Sequence, residues 1–165
     1  MEKIVLRMFN TAALVFVFAS FVSAQSLVSG LTDTNVVVSV LEKEGRRIAD
    51  VPLKFKDVPS SLAGKTLVIV SRGDRQAAGQ GFQFTVTKEA VVYLFVMERG
   101  KPNVPAEWKK TVLNATFYYD KTMDFKDSIY TKKIAAGEKV IVPAHDGSDG
   151  SSFGVPHCCV VVPNE

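Results

Sequence analysis

The chain has 165 residues, 47% hydrophobic and 22% charged, with 20 Lys and Arg against 17 Asp and Glu. That length fits one domain with a substantial core, and 11 Phe beside an ordinary charged fraction exclude a disordered chain. Two Cys exclude a disulfide-stapled miniprotein, and a formal charge of +3 with no Lys/Arg cluster excludes a nucleic-acid-binding stripe.

Residues 1–24 read as a secretory signal peptide. Lys3 and Arg7 supply the positive start, residues 12–18 the apolar core, and Val22-Ser23-Ala24 the small-residue site before cleavage at Gln25. Residues 11–24 fall short of the roughly 20 that cross a bilayer. The mature chain is therefore expected to be secreted and extracellular, with no membrane span. Losing Glu2, Lys3 and Arg7 leaves a net charge of +2, too little to steer an acidic partner.

Residues 25–44 form a lead-in that carries the first strand, and 45–165 form the main domain. Apolar, β-branched and aromatic runs separated by turn residues predict strands over 35–41, 51–55, 66–70, 82–87, 90–97, 111–119, 128–134, 139–142 and 155–162. Phe82, Phe84 and Val86 alternate with Gln83, Thr85 and Thr87, the pattern of a half-buried strand. Residues 91–97 are apolar on both faces, which predicts a central strand covered on each side. The core is expected to include these three residues with Leu94, Val96, Leu113 and Phe117. Residues 60–63 and 106–110 each suit a single helical turn. The whole reads as all-β, an antiparallel β-sandwich of jelly-roll type.

Little of the sequence carries chemistry. His145 and His157 lack metal-ligand spacing, and on a strand His157, Cys158 and Cys159 alternate faces and cannot converge on a metal. Asp146 and Asp149 offer calcium-type oxygens without the EF-hand pattern, and Gly, Ser and Asp equally suit a solvated loop. No nucleophile, base and orienter can be assembled, so no catalytic residue, metal or cofactor is assigned and an enzyme is not expected. Arg72-Gly73-Asp74 is the tripeptide that integrins read, placed in a Gly- and Ala-rich loop where a plain loop is the alternative. Cys158 and Cys159 point to opposite faces of a strand. One is expected to be buried and the other more exposed, which would allow a disulfide-linked homodimer; two buried thiols are the alternative. Asn114-Ala115-Thr116 is an N-glycosylation sequon whose Asn should face solvent.

Between residues 51 and 162 several stretches resemble a β-sandwich module appended to secreted polysaccharide lyases and glycosidases. They are Phe55-Lys56-Asp57-Val58-Pro59, Phe82-Gln83-Phe84-Thr85-Val86, Val92-Tyr93-Leu94-Phe95-Val96-Met97-Glu98-Arg99, Pro105-Ala106-Glu107-Trp108 and Ala136-Gly137-Glu138. In that family the central strand runs into an acidic-acidic-Arg turn and then Pro-x-Trp. Here Met97 stands in place of the first acid, and one residue is added before Trp108. The resemblance implies a glycan or polysaccharide partner without catalysis. Sugars present CH faces and hydroxyl edges, so aromatic rings beside planar polar groups suit them. Tyr93, Glu98, Arg99 and Trp108 supply that combination, unless Trp108 instead plugs the end of the sandwich. The alternative to a carbohydrate-binding protein is a structural or adhesive matrix protein.

Overall fold

A computed structural model of the protein describes residues 27–31, 35–74, 76–147 and 155–164. The expected signal peptide and Asp149 lie outside the described residues. Among the described residues ten strands follow in order: β1 (Val28–Ser29), β2 (Val36–Val40), β3 (Leu53–Asp57), β4 (Thr66–Val70), β5 (Phe82–Val86), β6 (Ala90–Met97), β7 (Lys109–Tyr119), β8 (Met123–Ile134), β9 (Lys139–Val142) and β10 (Cys158–Pro163). No helix among the described residues is long and apolar enough to cross a membrane. The two expected helical turns are tight turns: the Leu62 and Ala63 amides both donate to the Pro59 carbonyl, and the Trp108 amide donates to Pro105.

Every strand pairing is antiparallel. A three-stranded sheet runs β1-β5-β9, and a seven-stranded sheet runs β2-β4-β10-β6-β8-β7-β3. Residues alternate faces along a strand, so an all-apolar strand serves two cores. β6 does this at the middle of the large sheet. Its Val92, Leu94 and Val96 enter a core shared with Phe82, Phe84 and Val86 of the small sheet. Its Phe95 and Met97 enter a second core on the opposite face. Leu113, expected in the core, is only half-buried against this second cluster.

The second core exists because the large sheet curls. Leu67 and Ile69 of β4 share it with Leu53 and Phe55 of β3, although four strands separate β4 from β3 in the sheet. The segment 41–49, leaving β2, closes the gap between them. On one side the Glu44 amide donates to Phe55 (2.8 Å) and the Arg47 amide to Leu53 (2.9 Å). On the other side the Leu41 amide donates to Lys65 (2.9 Å) and the Ala49 amide to Val70 (3.2 Å). Backbone groups at a curled edge need partners, and this segment provides them.

The two described ends meet at one corner, the turn between β5 and β6. There the Thr87 amide donates to Leu27 and the Asn164 amide to Glu89, both at 3.0 Å.

Candidate functional site

The structure separates the residues expected to bind sugar. Trp108 is 4% exposed and packs in the first core, with its indole Nε1 buried and unpartnered. Tyr93 is half-buried against the second core. Glu98 is exposed, accepts from the Ser128 hydroxyl at 2.7 Å and meets the Lys126 ammonium at 3.3 Å. Partial burial pushes its carboxyl up, but Ser128 and Lys126 together hold it below the usual range. Arg99, also exposed, approaches Met123 Sδ at 4.0 Å. Lys126 and Ser128 lie on one face of β8 and Met123 on the other, so consecutive Glu98 and Arg99 serve opposite faces. No single surface gathers all four residues.

The remaining predicted positions are equally specific. Asn114 is exposed on β7 opposite Ser128 of β8. In the tripeptide loop, the Asp50 carboxylate accepts from the Arg72 amide at 2.7 Å and the Gly73 amide at 3.4 Å. Asp74 Oδ1 accepts from the Gln76 amide at 2.8 Å. Arg72 is half-buried while Gly73 and Asp74 are exposed, so only part of the tripeptide is presented. Asp146 Oδ1 accepts from the Asn103 amide at 3.2 Å, and no group of three His, Cys, Asp or Glu among the described residues is placed to hold a metal.

The cysteines require a correction. Both Cys158 and Cys159 are 0% exposed and neither forms a disulfide. They do point to opposite faces, but each face of β10 carries a core, so neither thiol reaches solvent. The expected disulfide-linked homodimer has no support in this arrangement.

A cleft that sequence reasoning missed lies where the sheet closes. β2, the closing segment and one residue each of β3 and β4 line a depression of about 570 Å³. Its apolar lining is Val37, Ala49 and Ile69, with Val37 44% exposed. The rest of its lining is mostly polar: Ser39, Glu42, Glu44, Arg46 and Lys54. Arg46 stands across a β-bridge from Lys54, and its Nη1 donates to the Ala49 carbonyl at 2.7 Å. Glu44 accepts from the Tyr118 hydroxyl, which holds the phenol's proton more tightly than usual. Most of its residues lie in the one stretch 37–49, but no local motif announces the cleft, because it forms only where that stretch meets Ile69 of β4 on one side and Lys54 of β3 on the other.

Behind the cleft wall, the residue after Arg46 turns inward. Arg47 is 0% exposed, as is Asp127 of β8. Arg47 Nε and Nη2 donate to the two Asp127 oxygens at 2.9 and 2.8 Å, and Nη1 donates to the Pro156 carbonyl at 2.8 Å. The guanidinium also lies 4.5 Å from the Phe117 ring centroid. A forked, fully paired guanidinium tolerates burial that a lone charge would not. This ion pair fixes the closing segment to the sheet, and so sets the position of the cleft.

No protein-family model matches the sequence, and no curated protein matches it. Among solved structures the chain is similar to a β-glucuronidase from glycoside hydrolase family 2, with a TM-score of 0.65 and 16% identity. The likeness covers 85% of this chain and 15% of that one. A GH138 enzyme targeting pectin rhamnogalacturonan II is a looser match, with a TM-score of 0.49 and 12% identity over 83% of this chain and 17% of that one. The chain thus spans less than a fifth of either enzyme. At 16% identity the likeness to the β-glucuronidase is one of fold, and it agrees with the module resemblance expected from sequence.

Proposed function

We propose that this protein is a secreted, non-catalytic carbohydrate-binding β-sandwich, and that the cleft between β2 and the closing segment is its sugar site. The observation that carries this reading is the cleft's construction. Val37 and Ala49, with the edge of Ile69, give the cleft apolar lining for the CH face of a sugar ring, and Glu42, Glu44 and Arg46 line the same cleft as partners for its hydroxyls. A carboxylate accepts from hydroxyls, and a guanidinium fork bridges two neighbouring ones. The volume falls within the roughly 300–1,000 Å³ of small-ligand sites. The fold likeness to a segment of a glycoside hydrolase supports the ligand class.

Each hydrogen bond nets only about 1 kcal/mol against water. Binding is therefore millimolar to micromolar for a polymer, strengthened by repeated units. Secretion with a Gln25 start, and a glycan on the exposed Asn114, belong to the same proposal. The test is a glycan array with the purified mature protein, followed by Glu42→Ala, Arg46→Ala and Arg99→Ala. Binding lost with the first two and kept with the third supports the cleft. Binding lost only with Arg99→Ala moves the site to the turn after β6. A blank array overturns the carbohydrate reading.

A further inference from the structure

His145 follows β9 and His157 precedes β10, and both are 0% exposed. Their rings face each other with centroids 5.3 Å apart and planes tilted by 49°. None of the four ring nitrogens has a hydrogen-bond partner. A neutral imidazole carries one donor and one acceptor, so this pair is held in place at a cost, by its surroundings rather than by its own bonds. Those surroundings are tight. His145 exchanges two backbone hydrogen bonds with Gly79, at 2.8 and 3.0 Å. A Cβ on Gly79 would lie 2.8 Å from both Val155 C and Pro156 N. Gly79 is therefore required there, and the segments carrying the two histidines are packed backbone to backbone around it.

The charged and titratable groups around the pair come from four places. Arg47 stands on the closing segment, Asp127 on β8, Asp146 beside His145 and Cys158 beside His157. Glu98, beyond β6, acts on Asp127 in turn. Arg47 and Asp127 already neutralise each other through their forked pair. A proton on His157 therefore adds a buried positive charge beside a guanidinium and the second ring, and one on His145 is only partly offset by the neighbouring Asp146 carboxylate.

We propose that His145 and His157 form an acid-sensitive lock on the Gly79 end of the sandwich, closed while both rings are neutral and opened when acid charges them. Opening also breaks the Arg47–Pro156 hydrogen bond, because Pro156 adjoins His157. Acid thus loosens the anchor of the closing segment.

The sign follows from linkage. An exposed histidine titrates near 6.5. Burial, then the His145 ring and Arg47, lowers His157 well below that value. Burial also lowers His145, aided by Arg47; the Met97 carbonyl, which does not reach hydrogen-bonding geometry, and the Asp146 carboxylate offset part of this. The open form thus binds protons that the closed form refuses. Stability is intact above about pH 6.5 and is lost as pH falls below it. One proton taken up changes the unfolding constant about tenfold per pH unit, and two change it about a hundredfold. Asp127, raised by burial although Arg47 opposes this, contributes with the opposite sign, so the histidine effect must be isolated.

Urea unfolding of the mature protein at several pH values between about 5 and 7.5 reads this directly. The unfolding constant should rise between about tenfold and a hundredfold per unit below pH 6, and the slope should flatten in His145→Phe/His157→Phe. An acid slope under about threefold per unit in the wild type, or an unchanged slope in the double variant, overturns the lock. If the double variant does not fold, ring nitrogen NMR of the wild type decides. Rings that stay neutral until the protein opens support the proposal, and a native ring titrating near 6.5 overturns it.

Discussion

Asp127→Ala is the sharpest test of how the curled sheet is held. The substitution strands the Arg47 guanidinium in a site with no solvent access. Burial opposes the guanidinium's charge, and Asp127 more than restores it, leaving Arg47 more firmly protonated than in water. Two charge-assisted hydrogen bonds, at 2.8 and 2.9 Å, are lost together. Such bonds contribute about 1.5–3 kcal/mol each, and breaking one side of a buried ion pair typically costs about 3–5 kcal/mol. The bond to Pro156 and the Phe117 ring remain, which places the expectation near 4 kcal/mol as a rough centre of that range. Against a total stability of about 5–15 kcal/mol, this moves a urea midpoint by about 2 M for a slope near 2 kcal/mol/M. Replacing both partners, Arg47→Met with Asp127→Leu, should cost less than Asp127→Ala alone, since no unpaired charge is left behind. A loss below about 1 kcal/mol in Asp127→Ala would refute the reasoning, because it would mean that water reaches the site and compensates the cation.

Three further expectations rest on separate features. Trp108→Ala should destabilise by about 3–5 kcal/mol, as the loss of a buried ring does; a folded variant of wild-type stability by thermal melting would place Trp108 outside the core. Burial pushes the Cys158 thiol up to about 12 and Cys159 well above its ordinary value. Both thiols should therefore resist a thiol reagent in the native state and react fully in denaturant, and a non-reducing gel should show monomer. Gly79→Ala should cost about 1–3 kcal/mol in urea unfolding, since its Cβ meets backbone atoms that cannot rotate away.

The fold was legible where the pattern was local. β4, β6 and β9 have the bounds their apolar runs predict, because an unbroken or alternating run leaves little choice of register. β8 begins at Met123, earlier than predicted: Met123 and Phe125 alternate with Asp124 and Lys126, but the next inward position is Asp127, a charge that interrupts the apolar face until it is known to be buried against Arg47. β1 is only two residues long and shows no period. The curl was not legible, since it depends on pairings such as Glu44 with Phe55 and Arg47 with Asp127, eighty residues apart. The cleft inherits that invisibility. The cysteine pair shows the limit of strand logic: alternation set the two thiols on opposite faces, but only the tertiary structure shows that both faces are covered.

Leu27 and Asn164 both tie into the turn between β5 and β6. Entry and exit at one corner mean that the fold can be spliced into a host chain as a side-loop, without stretching either partner. A short flexible linker should join the two ends into a closed ring. New termini then fit best at the β7–β8 hairpin, where Asp120 and Lys121 are exposed and held at positive φ (51° and 64°). Cutting there releases backbone strain while sparing both cores. Such a circular permutant should refold with its strands in the same places, because the interactions that hold the sandwich together do not depend on where the chain starts.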